Sequence, residues 1–136
     1  MTTPASSGTV LLIDDEEDFR KVIAWRLERE GNYRVLTAPD GPAGLVLASQ
    51  HHPDAVLVDF TMPKMNGHAV LKSLKDDSGT KDIPVIMLTS MGEEQKVAES
   101  ISLGAMSHMA KWSDAKQLLD EVKMAVARHR AAHPDA

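Results

Sequence analysis

The sequence predicts an α/β domain built on a doubly wound, five-stranded parallel sheet of order 2-1-3-4-5. Three observations carry that expectation. Short apolar runs of strand length alternate with stretches whose apolar residues recur at the 3 and 4 spacing of a one-sided helix. Runs such as Val85 to Leu88 are unbroken, as strands covered on both faces require. The runs also end on polar side chains. Val10-Leu11-Leu12-Ile13 ends on Asp14-Asp15, Ala55-Val56-Leu57-Val58 on Asp59, Val85-Ile86-Met87-Leu88 on Thr89-Ser90, and Met106 to Ala110 on Lys111. Strands that alternate with helices pair in parallel through right-handed crossovers, which gathers those polar ends at one edge of the sheet.

Met1 to Gly8 is rich in Thr, Ser, Pro and Gly and is expected to form a flexible N-terminal tail. After the first strand, Glu16 and Glu17 lead into a helix with Phe19, Val22, Ile23 and Leu27 inward. Trp25 falls off that stripe, and Gly31 is expected to end the helix as its left-handed cap. Tyr33 to Ala38 reads as the second strand. Asp40-Gly41-Pro42 opens the second helix, with Leu45 and Ala48 inward and Gly44 weakening it by ~1 kcal/mol against Ala. His51-His52-Pro53 closes it. Neighbouring helical residues point about 100° apart and no acid or further His stands at ligand spacing, so this pair reads as a solvated helix end.

Beyond Asp59, Pro63 and Asn66-Gly67 break the extended run. Gly67 to Lys75 carries Val70, Leu71 and Leu74 as a helical face, and Asp76-Asp77-Ser78-Gly79 is a polar loop. Pro84 begins the fourth strand, where proline is tolerated. Glu93-Glu94 opens a helix with Val97, Ala98 and Ile101 inward, closed by Gly104. Ser113 is the expected cap of the last helix, whose inward face is Leu118, Leu119, Val122, Ala125 and Val126. Met87, Met106 and Met109 read as core filler. The folded domain is expected over 9–130, with a flexible tail over 131–136.

A chain of 136 residues, 43% hydrophobic, is one domain with enough apolar residues for a core. Twenty Asp and Glu against 15 Lys and Arg give a net charge of −5, which disfavours nonspecific nucleic-acid binding. Ala131 to Ala136 are too few for a helix-turn-helix, so no direct nucleic-acid contact is expected. The absence of cysteine excludes disulfides and thiolate chemistry. No stretch approaches the ~18 apolar residues of a membrane span, and the first residues lack a signal pattern. A cytoplasmic location without a membrane partner is the expectation.

In the strand order 2-1-3-4-5, strands 1 and 3 meet at the switch point, so Asp14, Asp15 and Asp59 converge in one crevice. Three close carboxylates raise one another's pKa unless a cation joins them. Oxygen-only ligands favour Mg²⁺ or Mn²⁺. Lys111 and Thr89 add the positive charge and hydroxyl that a phosphoryl group needs on its other oxygens. Neither GxGxxG nor GxxxxGKS/T occurs, and no nucleophile elbow is present.

Val10 to Glu16, Asp59 to Gly67 with Met62-Pro63, Asp82 to Ser90, Leu103-Gly104-Ala105 and Lys111 together resemble the receiver domain of two-component response regulators. The likeness is to single-domain chemotaxis regulators and covers about residues 9 to 130. It implies a flavodoxin-like (βα)5 fold and a switch in place of an enzyme, one that only assists its own phosphotransfer and autodephosphorylation. Asp59 would be the phosphoacceptor, served by a sensor histidine kinase or phosphotransfer protein. Asp14, Asp15, Asp59 and the Thr61 backbone carbonyl would hold Mg²⁺ or Mn²⁺, and Thr89 and Lys111 would hold phosphoryl oxygens. The resemblance further implies a switch made of Thr89 and the residue at His108. The output would be a surface of helix 4, strand 5 and helix 5 for a downstream protein, on a monomer or weak dimer.

Two positions depart from the family pattern. Trp112 stands where proline usually follows the lysine, and since a cis bond before Trp costs ~2.5–4 kcal/mol, a trans bond is expected. His108 replaces the usual Tyr or Phe. Trp112 is either an exposed partner anchor or core packed under the last helix. Two other readings compete: a degenerate receiver acting as a phosphorylation-independent interaction module, and a Mg²⁺-dependent aspartyl phosphatase. The second would need an acid at Thr61, which cannot serve as one.

Overall fold

Successive side chains on a strand point to opposite faces, so unbroken apolar runs need helices on both sides. The computed structural model describes residues 6–133 and has that arrangement. β1 (Thr9–Ile13), α1 (Glu17–Gly31), β2 (Arg34–Ala38), α2 (Gly41–His51) and β3 (Ala55–Asp59) are followed by α3 (Gly67–Asp76), β4 (Val85–Thr89), α4 (Glu94–Ser102), β5 (Ser107–Ala110) and α5 (Ala115–Ala132). The strands are parallel in the order β2-β1-β3-β4-β5, as the sequence predicts.

Alternation divides the core in two. Val10, Leu12, Leu57 and Leu88 pack with Phe19, Ile23 and Leu27 of α1 and Leu118, Val122 and Val126 of α5. Leu11, Ile13, Val56, Val58 and Met87 pack on the other side with Ala48 of α2 and Val70, Leu71 and Leu74 of α3. β1 and β3 sit at the centre, and the register Ile13↔Val58 and Asp59↔Leu88 levels the carboxyl ends of β1, β3 and β4. The residues after those strands therefore share one rim.

Several local expectations are corrected. The left-handed cap of α1 is Asn32, with φ 58°, one residue after Gly31. Asn tolerates that conformation, whereas Gly31 is needed for space: a Cβ there would lie 2.5 Å from the Tyr33 ring. Asp114 caps α5 by accepting from the Gln117 amide at 2.8 Å, while Ser113 Oγ donates to the Ala110 carbonyl at 2.7 Å. The carboxylate one residue later takes the helix start, and the hydroxyl closes the turn out of β5. On α4, Val97 is buried but Ala98 and Ile101 are exposed, and on α1 Val22 is exposed as well. Short α4 lies over the β4–β5 end of the sheet, where fewer elements cover its flanks.

The tail expected over 131–136 loses Ala131 and Ala132 to α5, and His133 caps that helix. Of the stretch expected as a tail over 1–8, Ser7 donates to the Asn32 carbonyl and Gly8 accepts from the Arg34 amide, each at 2.8 Å. Residues 1–5 and 134–136 lie outside the described residues. The Lys111-Trp112 bond is trans, as expected.

Candidate functional site

The rim gathers three acids. Asp14 and Asp15 follow β1 and Asp59 ends β3, and their carboxylates each place an oxygen within 4.8 Å of the others. Asp14 and Asp59 are buried and Asp15 is exposed. Glu16 N–H donates to Asp14 Oδ1 at 2.8 Å and Thr61 N–H to Asp59 Oδ1 at 3.2 Å, so the loops leaving β1 and β3 fold back on their own acids. Gly67 makes the second loop possible. A Cβ there would lie 2.7 Å from the Asp59 carbonyl oxygen and 2.9 Å from Phe60 Cα, both backbone atoms that cannot yield.

Lys111, buried at the end of β5, reaches back into this group. Its Nζ lies 3.0 Å from Asp14 Oδ2 and 3.3 Å from Asp59 Oδ2, and donates to Glu16 as well. The same ammonium stands 4.7 Å from the centre of the Phe19 ring, and Phe19 meets Trp112 edge-on at 4.9 Å. Burial works against the charge on Lys111, but the hydrogen bonds it donates to Glu16 and Asp14 and the charges of Asp59 and Asp14 outweigh it. The amine is therefore held above the ordinary lysine range. For the acids the balance runs the other way. Burial, then the neighbouring Asp14 charge, pushes Asp59 up to about 7 against Lys111 and the Thr61 amide. Burial likewise raises Asp14.

One lysine thus serves three carboxylates and leaves them under-compensated. Asp14 Oδ2 is buried and makes no aligned hydrogen bond, although Lys111 is near. A hard dication with oxygen ligands fits this donor set: it would take the orphaned oxygen of Asp14 or its neighbours and relieve the repulsion that lifts Asp59. Asp14, Asp15 and Asp59 are the only such three-acid group among the described residues.

The other predicted residues are placed less closely. Thr89 ends β4 with its hydroxyl donating to the Met109 carbonyl at 3.3 Å, toward β5. His108 is exposed on β5, beside Met87 in the register. Trp112 is 63% exposed and leans on Phe19 of α1, so the indole is not core under α5. Met87 and Met109 are buried and Met106 is packed against the core.

Two acids at the site were not singled out by sequence reasoning. Glu16, taken for a helix-start acid, is a partner of Lys111. Glu93, also read as a helix opener, is 9% exposed and accepts the Ser90 amide at 2.5 Å and the Thr61 hydroxyl. It thereby joins the loop after β3 to the loop after β4. Its signal was present: Ser90-Met91-Gly92-Glu93 is the spacing of a capping box, in which the acid reaches back to the amide three residues earlier.

Comparison with known proteins bears on what this rim is. The response regulator receiver domain family matches residues 10–123. A probable transcriptional regulator ycf27 from Galdieria sulphuraria is 36% identical over 119 residues, 88% of this chain and 45% of its own length. The phosphate regulon transcriptional regulatory protein PhoB of Pseudomonas aeruginosa is 33% identical over 120 residues, 88% of this chain and 52% of its own. The chain thus spans about half the length of the curated relatives it matches. Among solved structures, a response regulator receiver domain protein from Clostridium thermocellum superposes with a TM-score of 0.85 at 29% identity, covering 91% of this chain and 98% of that one. The chemotaxis protein CheY4 of Vibrio cholerae gives 0.81 at 29% identity, covering 89% and 99%.

Proposed function

This chain belongs to the response regulator receiver domain family, and from that premise we propose that it is a cytoplasmic phosphoacceptor switch charged on Asp59. A carboxylate oxygen of Asp59 attacks the phosphorus of a phosphohistidine on a sensor histidine kinase or phosphotransfer protein. The new O–P bond forms as the P–N bond breaks, and the imidazole leaves with the electron pair and takes up a proton. Asp14, Asp15, Asp59 and the Thr61 carbonyl are the residues that would hold Mg²⁺ or Mn²⁺. When bound, that ion neutralises charge on the phosphoryl oxygens. Lys111 neutralises a further oxygen, exchanging part of its present carboxylate contacts for the phosphoryl group. Thr89 turns its hydroxyl from the Met109 carbonyl to a phosphoryl oxygen, and the His108 ring follows inward, altering the surface of α4, β5 and α5 that a downstream protein reads.

The observation that supports this reading best is the buried Lys111 ammonium, 3.0 Å from Asp14 and 3.3 Å from Asp59. Charges of that density at one sheet edge are costly unless a charged ligand is to be handled there. The test is phosphorylation with a small phosphodonor, read by mass spectrometry. One acid-stable, base-labile phosphoryl group is expected on the wild type with Mg²⁺, and none with chelator or in Asp59→Asn. Equal labelling of Asp59→Asn, or indifference to chelator, refutes the reading.

A further inference from the structure

The loop after Asp59 is joined to the start of α4 by a seam of polar contacts that the phosphoryl chemistry does not use. The Thr61 hydroxyl donates to Glu93 Oε2, and Glu93 Oε1 accepts the Ser90 amide at 2.5 Å. Three residues on, in the first turn of α4, the Lys96 carbonyl oxygen lies 3.1 Å from His68 Nε2 at the start of α3. A carbonyl only accepts, so that nitrogen carries the proton. The Lys96 ammonium stands 5.7 Å from the centre of the Phe60 ring, which meets the His68 ring edge-on at 4.7 Å. Both residues that follow Asp59, Phe60 and Thr61, are thus tied to α4.

α4 depends on this seam because its apolar anchor is thin. Of its described side chains only Val97 and Ser100 are buried. A nine-residue helix has little stability of its own, so contacts at its start decide how firmly it is held. Glu93 is a buried carboxylate that forms no ion pair among the described residues. Such a charge is costly to bury unless hydrogen bonds repay it, and its two come from different loops. On the other side, the Thr61 amide donates to Asp59 Oδ1 at 3.2 Å. Residue 61 is held at its amide by Asp59 and at its side chain by Glu93, which limits where its carbonyl can point.

We propose that Glu93 is a positioning residue of the acid rim. Acting through Thr61, it aligns the loop after Asp59 for a bound dication and couples occupancy of the rim to the order of α4. This coupling runs beside the Thr89–His108 route, and it rests on the reading of the rim as a Mg²⁺ and phosphoryl site. Coupling between two sites is reciprocal, so a protein that fixes the start of α4 tightens Mg²⁺ binding by the same factor.

The test combines Glu93→Ala with Thr61→Val, which removes the hydroxyl of an exposed residue and keeps its shape and backbone. Mg²⁺ affinity by calorimetry and hydrogen exchange of the α4 amides are the readouts. In the wild type, Mg²⁺ is expected to slow α4 exchange. Thr61→Val is expected to weaken Mg²⁺ binding roughly five- to ten-fold and to reduce that slowing. In the metal-free chain it is expected to speed α4 exchange about five-fold, the loss of one ordinary hydrogen bond. In the Glu93→Ala background it is expected to change neither, because the bond is already gone, and Thr61→Ser is expected to restore wild-type values. A merely structural contact would move exchange but not Mg²⁺ affinity. Unchanged affinity in Thr61→Val, or an equal further loss in the Glu93→Ala background, overturns the proposal and leaves the labelling of Asp59 untouched. No Mg²⁺ binding by the wild type overturns the proposal together with the reading of the rim.

Discussion

At the amino edge of the sheet, Asp54 accepts the Thr9 amide at 2.9 Å and the His129 ring at 3.0 Å, with Arg130 at 3.7 Å. At the carboxyl edge, Asp59 has the Thr61 amide at 3.2 Å and a share in Lys111 at 3.3 Å, beside Asp14 and Asp15. One acid has two basic groups to itself; four acids, counting Glu16, crowd one amine. The amino edge is built so that its acid holds β1, β3 and α5 together. The carboxyl edge holds charge that nothing among the described residues fully compensates, and on the proposed function the stability forgone there is what an incoming cation and phosphoryl group would recover.

The largest test of that contrast is Lys111→Met. It removes the cation that three carboxylates share, so phosphoryl uptake by Asp59 at saturating Mg²⁺ is expected to fall roughly 10²- to 10³-fold, the cost of losing one electrostatic stabiliser. Rates from a small phosphodonor give the answer. An undiminished rate would mean that the buried amine is a structural ion pair, like those of the amino edge.

A second test sets the two edges against each other in stability. Asp59 titrates at about 7 in the folded chain against a reference of 3.8, so between those values the native state binds more protons than the unfolded one. Stability from this group is therefore full below the lower value, falls as pH rises through the window, and stays low above about 7. Without Mg²⁺, Asp59→Asn is expected to stabilise the chain at pH 8 by on the order of 2 kcal/mol, and by little at pH 4. Mg²⁺ is expected to stabilise the wild type at pH 8 as well. Asp54→Asn is expected to act with the opposite sign, costing about 1–3 kcal/mol by weakening a satisfied partner. Denaturant melts of the two variants losing stability equally at pH 8 would erase the distinction.

A smaller effect concerns the lifetime of the acyl phosphate. Thr61 and Met91 stand two residues beyond Asp59 and Thr89. The Thr61 hydroxyl is engaged by Glu93, and Met91, 98% exposed, has no group to orient water. Thr61→Asn with Met91→Glu is expected to hasten loss of the phosphoryl group on the order of ten-fold. Decay of the labelled protein measures it, and equal or slower loss from the double variant removes the idea.

The fold was legible because it is written in period and order: five strand-length runs alternate with one-sided helices, and the three central ones, buried almost throughout, leave little choice but a doubly wound parallel sheet. The acid rim was legible because strand ends are marked by abrupt polarity, as at Ile13-Asp14 and Val58-Asp59. The helix ends were read less well. Asn32 and Gly31, or Asp114 and Ser113, offer the same local chemistry one residue apart, and only tertiary contacts such as the Tyr33 ring decide between them. Glu16 and Glu93 escaped for a related reason: an acid at a helix start is explained by the helix alone until a distant partner is seen. The amino-edge group was invisible because Asp54 and His129 are 75 residues apart.

The finest expected effect is optical, and it asks whether the strained edge is felt at the surface. Trp25→Phe leaves Trp112 as the sole indole. At 63% exposure, Trp112 is expected to emit far to the red and to be reached by a soluble quencher. Yet one edge rests on Phe19, and Phe19 carries the Lys111 ammonium 4.7 Å from its ring centre. Such an aromatic pair is worth only ~0.5–1.5 kcal/mol, enough to keep the rings in register but not to resist a shift of the lysine. A dication among Asp14, Asp15 and Asp59 competes with that ammonium for the same oxygens, so Lys111 moves and the Phe19–Trp112 contact adjusts. A modest intensity change is therefore expected on adding Mg²⁺, saturating with the metal and lost in Asp15→Ala. Blue, quencher-resistant emission would contradict the exposed indole. Emission indifferent to Mg²⁺ would show that the charge at this edge is contained within the rim.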